Sequence, residues 1–84
     1  MGIIYFYYNK KDADSGNPFC QLPLGNEALL NIGDLVSLDD LELFKANKFS
    51  IREDILHPEG LYKIINKYFD YFSETFIYSA IRDE

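Results

Sequence analysis

The chain has 84 residues, with 14 acids against 8 bases for a net charge of −6, one cysteine and one histidine. That length suits a single domain over residues 1–84, and one thiol excludes an internal disulfide framework or a multi-cysteine metal site. The longest apolar run, Ile3 to Tyr8, is too short to span a bilayer or to form a signal-peptide core. A cytoplasmic protein without a cofactor is the expectation.

Residues 2–9, Gly-Ile-Ile-Tyr-Phe-Tyr-Tyr-Asn, are β-branched or aromatic almost throughout. They predict a strand apolar on both faces, which makes it central or covered by a partner on one side. Residues 10–18 gather Asp, Ser, Gly, Asn and Pro and read as an exposed loop. Phe19 to Leu24 is a short apolar piece whose Pro23 removes a ladder donor, so it fits an edge strand or an extended connector. Gly25-Asn26 turns the chain, and Glu27 to Leu30 is too short to assign. Gly33-Asp34 bends the chain into a strand ending at Leu38. Leu41 to Ala46 is ambiguous between a helical turn and a loop, and Phe49 to Arg52 alternates as a short strand.

Two readings compete for residues 61–72. Leu61, Ile64, Ile65, Tyr68 and Phe72 fall on a helical stripe, and Pro58-Glu59 would suit a first helical turn. The composition opposes a helix, because so many β-branched and aromatic residues cost roughly 5 kcal/mol of intrinsic propensity relative to alanine. A strand needs one bulge near Ile65-Asn66, with Tyr62 and Ile64 sharing a face before it and Lys67, Phe69 and Tyr71 after it. It then forms a hairpin with the clear strand at residues 75–82. The hairpin is preferred. About five strands in so short a chain predict a mainly β fold, a small five-stranded antiparallel barrel of SH3-like or OB-like type. The alternative is α+β, with residues 58–72 helical on a small antiparallel sheet.

Catalytic chemistry finds no foothold. Asp12-Ala13-Asp14-Ser15-Gly16-Asn17 begins like a calcium loop, but the sixth and twelfth positions hold Asn17 and Pro23 rather than glycine and glutamate. His57 precedes Pro58 in a turn, and Cys20 sits in an apolar setting that raises a thiol's pKa. The adjacent pairs Asp39-Asp40 and Glu53-Asp54 point to opposite faces if extended. No phosphate-cradling glycine loop or metalloprotease motif is present. The protein is therefore read as non-enzymatic.

Charge and aromatics carry the remaining signal. Asp34, Asp39, Asp40 and Glu42 lie in a stretch without a base between Glu27 and Lys45. Such a field repels nucleic acid and anionic membranes and attracts a basic protein. Seven tyrosines and seven phenylalanines exceed what a small core readily buries, and tyrosine is enriched at binding hot spots. The expected function is an acidic protein–protein interaction module that inhibits or neutralises a basic partner, by analogy with immunity proteins and nucleic-acid mimics. Its expected contacts are Asp34, Asp39, Asp40, Glu42, Tyr68 and Tyr71. The alternatives are a small barrel that binds single-stranded nucleic acid through Tyr62, Lys63, Lys67 and Tyr78, and a structural subunit of a homo-oligomer built on the apolar faces of residues 3–8 and 76–81.

Overall fold

The computed structural model describes residues 2–25, 29–38, 55 and 58–83. Five strands, β1 (Gly2–Tyr7), β2 (Cys20–Leu24), β3 (Leu35–Leu38), β4 (Gly60–Asp70) and β5 (Thr75–Arg82), form one curled sheet in the order β2-β1-β5-β4-β3. A short helix, α1 (Lys10–Ser15), links β1 to β2. The mainly β expectation holds, and the sheet is a half-barrel. It departs from the all-antiparallel expectation at its centre, where β1 and β5 run parallel, Gly2 beside Phe76 through Tyr7 beside Ile81. Both of these strands carry apolar side chains on both faces, so both are most stable in the middle of the sheet. There the first and last strands meet in the direction their connections allow.

Residues 60–70 are strand, which overturns the helical alternative for 58–72. The expected bulge is present: the register with β5 shifts between Ile64, opposite Ala80, and Asn66, opposite Ser79. Tyr62 and Ile64 therefore share the concave face with Lys67 and Phe69, while Tyr68 turns to the convex face beside Ile77. Residues 10–18, expected as a loop, contain α1 instead. Asn9 is extended at φ −149° and its Oδ1 accepts the Asp12 N–H at 2.8 Å. Gly16 closes the helix at φ 68°, with its own N–H bonded to the Ala13 carbonyl (3.2 Å) and the Asn17 N–H to that of Asp12 (2.9 Å). The strand expected at 49–52, the ambiguous segment 41–46, and most of the segment 26–30 lie outside the described residues.

The core fills the concave face. Ile4 and Phe6 of β1, Cys20 of β2, Leu38 of β3, Tyr62 and Ile64 of β4 and Tyr78 and Ala80 of β5 are buried there with Phe19 and Ile55. Phe6 meets Tyr62 edge-on at 5.3 Å between ring centres, and Phe19 tilts against Tyr62 at 5.7 Å. Such pairs add about 0.5–1.5 kcal/mol each beyond the area they bury. The Tyr62 hydroxyl donates to the Pro58 carbonyl at 2.7 Å, which settles the polar tip of a fully buried ring. At the same end the Arg82 guanidinium lies 5.0 Å above the Tyr8 ring. No buried side-chain polar atom among the described residues lacks a partner.

Candidate protein-interaction surface

The β4–β5 hairpin outruns its neighbour. β4 is 11 residues long, but β3 pairs only with its Gly60–Lys63 portion. Backbone bonds from Gly33 to the Ile64 carbonyl (2.8 Å) and from Ile64 to the Asp34 carbonyl (2.9 Å) extend that pairing by one step. Beyond Ile64 no strand among the described residues pairs with the outer edge of β4. The exposed Lys67 N–H is taken by the Asn66 Oδ1 at 2.9 Å.

The turn at residues 71–74 joins the two strands and is held by short local bonds. Asp70 Oδ1 accepts the Phe72 N–H at 3.1 Å, and Thr75 Oγ1 donates to the Ser73 carbonyl at 3.0 Å. Glu74 takes a left-handed conformation at φ 53°, where glycine is the usual residue. This leaves Tyr71 83% and Phe72 98% exposed, with Tyr68 54% and Phe69 47% exposed on opposite faces just below them. Phe69 leans on Phe76, centres 5.0 Å apart. The Lys67 ammonium folds back to 5.4 Å from the Phe76 ring centre and 5.7 Å from that of Tyr78. From Tyr68 to Phe76 the only charged residues are Asp70 and Glu74, so the tip is aromatic and acidic.

Of the residues expected at the site, Tyr68 and Tyr71 are both on this hairpin and both exposed. Asp34 is elsewhere. Its Oδ2 accepts the Asn31 N–H at 2.8 Å while its own N–H donates to the Asn31 carbonyl at 3.0 Å, so its carboxylate closes the turn ahead of β3. Its backbone lies beside Ile64, roughly 13 Å along β4 from Tyr68 at the usual strand rise. Asp39, Asp40 and Glu42 lie outside the described residues, as do His57 and the Glu53-Asp54 pair. Phe69, Phe72, Asp70 and Glu74 were missing from the expectation. The signal that could have found them is the turn sequence Tyr-Phe-Ser-Glu, which places two large rings where glycine, asparagine or proline ordinarily stands.

The geometry also bears on the other constellations. Tyr62 is 0% and Tyr78 1% exposed, so neither offers a ring face on which a base could stack. Cys20 is buried, and that burial pushes its thiol up to about 12, far from the thiolate a nucleophile requires. Among the described residues no group of His, Cys, Asp and Glu could hold a metal ion, and no helix is long and apolar enough to cross a membrane. No protein-family model matches the chain, and neither a characterised protein nor a solved structure matches it. The residues themselves must carry the functional reading.

Proposed function

We propose that this chain is a non-enzymatic protein-interaction module whose working surface is the tip of the β4–β5 hairpin, and that it acts by occupying and neutralising a basic partner. One observation carries the reading. Four exposed rings, those of Tyr68, Phe69, Tyr71 and Phe72, surround two carboxylates with no base among them. Rings with this much surface in solvent add little to the core beyond the contact of Phe69 with Phe76 and are costly to leave wet, whereas rings buried at an interface are the residues that dominate binding energy. Asp70 and Glu74 give the surface its sign, and the net charge of −6 extends the attraction to longer range. An arginine suits such a surface best, since it can stack on a ring while its guanidinium meets a carboxylate. Cation-over-ring contacts of that kind occur within the fold itself, where Arg82 lies over Tyr8 and Lys67 over Phe76.

Affinity capture from a native lysate tests the reading, with the wild-type chain and a Tyr71→Ala/Phe72→Ala double variant used side by side. The expected result is a basic protein that the wild type retains, that the double variant loses, and that dissociates as salt is raised. Equal capture by both chains would remove the tip from the argument. A salt-insensitive or acidic partner would remove the charge.

A further inference from the structure

The hairpin tip also has the shape and extent of a surface that covers itself, and we propose that in the absence of another partner two copies of this chain pair through it, the β4 edges running antiparallel about Tyr68. Area is the first support. The exposed fractions of Tyr68, Phe69, Tyr71 and Phe72, at about 150–250 Å² for a ring, leave roughly 400–700 Å² of aromatic surface, before Ile65, 41% exposed, is counted. The surface is divided between the two faces of β4 and the turn, and a pairing along the strand edge reaches both faces at once, so it supplies about half or more of the ~800 Å² that each member of a stable complex contributes.

Register is the second support. In an antiparallel ladder, alternate residues turn their peptide groups to opposite sides. Asp70 and Thr75 pair across the base of the turn, so Lys67 and Phe69 direct theirs away from β5, where no described strand meets them. A two-fold axis through Tyr68 sets Lys67 of one copy against Phe69 of the other, and both N–H and C=O groups of each pair are satisfied. On the concave side Lys67 then lies next to a second phenylalanine ring. On the convex side the two Tyr68 rings meet, and Asn66 of each copy faces Asp70 of the other. Asn66 gives up the Lys67 N–H it now holds and gains a carboxylate acceptor. The bulge is what makes this fit, because it brings Tyr68 to the convex face and Lys67 and Phe69 together to the concave one.

The second copy and a basic partner compete for the same tip, yet they respond to salt in opposite directions. Two chains of charge −6 repel, so salt screens the repulsion and tightens the dimer. Sedimentation equilibrium on the full chain, from low micromolar to near-millimolar concentration and at low and high salt, reads this directly. The expected result is a monomer–dimer equilibrium strengthened by salt, and weakened about tenfold or more by Phe72→Asp. Because Phe72 is 98% exposed, that variant keeps its circular dichroism and unfolding midpoint. Hydrogen exchange adds a readout of the register: the Phe69 amide gains protection as concentration rises. A monomer under all conditions overturns the proposal, as does a dimer that survives Phe72→Asp or leaves the Phe69 amide unprotected. Neither result touches the capture experiment, whose readout is a basic protein released by salt.

Discussion

The two ends of β4 are built from the same kinds of residue and meet opposite fates. At the lower end Tyr62 is wholly buried, packed edge-on against Phe6 and bonded through its hydroxyl to Pro58. At the upper end Tyr68, Tyr71 and Phe72 stand in solvent. Two structural facts separate them. The lower end is flanked on both sides, by β3 and β5, while the upper end is paired on one side only among the described residues. Between them, the bulge at Ile65 reverses the alternation, so Tyr68 faces outward where an unbroken strand would have put it on the face of Tyr62 and Ile64. The difference teaches that an aromatic residue's role here is set by the length of its neighbours and by one extra residue in the strand, since its own chemistry is the same at both ends.

The largest expected effect breaks the lower end. Phe6→Ala removes a ring that is 1% exposed and contacts Phe19 and Tyr62, and should cost about 3–5 kcal/mol in urea unfolding. Tyr71→Ala at the other end should stay within about 0.5 kcal/mol of the parent. A comparable loss at both positions would show that the tip is part of the cooperative core.

The next effect sharpens the comparison through pH. Burial, partly opposed by Arg82, pushes the Tyr62 phenol from its ordinary 10 up to about 12, and burial lifts the Cys20 thiol from 9 to about 12. The folded chain keeps both protons through a range in which the unfolded chain releases them. Their contribution to stability is thus complete below pH 9 and is lost as pH rises toward 12. Unfolding midpoints measured at neutral pH and at about pH 11 should show that decline. Tyr62→Phe should flatten its part above pH 10, at a cost of about 1–2 kcal/mol at neutral pH for the hydrogen bond to Pro58. An identical alkaline slope in the variant would assign the effect elsewhere.

The smallest effect lies in the turn. Glu74 holds a left-handed backbone that glycine adopts without strain, so Glu74→Gly should stabilise the chain by about 0.5–1 kcal/mol, measured as a rise in thermal midpoint. It also removes one of the two tip carboxylates, so stability should improve while capture of a basic protein weakens. A gain in both would show that the carboxylate plays no part in recognition.

Much of this fold was legible from local pattern. β1 is central, one of the two places that apolar side chains on both of its faces allow, β2 lies at the edge, one of the two readings of Pro23, and the bulged hairpin followed from the phase change between Ile64 and Lys67. α1 escaped because Lys10-Lys11-Asp12-Ala13-Asp14-Ser15 has no apolar stripe and is held by its ends, Asn9 and Gly16, whose capping geometry outweighed a loop-like composition. The candidate site was half legible. Tyr68 and Tyr71 could be chosen as amphipathic rings, but a run of acids along the chain says nothing about where they gather in space. Asp34 proved to be spent on its own turn.

Taken alone, the order of residues determined strand content and the bulge, because each depends on neighbours within a few positions, and it fixed the net charge of −6. Tertiary structure alone decided that the first and last strands lie parallel at the centre, that β3 stops short of the hairpin tip, and that Tyr62 is core while Phe72 is surface. These outcomes rest on which distant segments pair and how far, and that balance of burial against chain entropy is struck over the whole sheet at once.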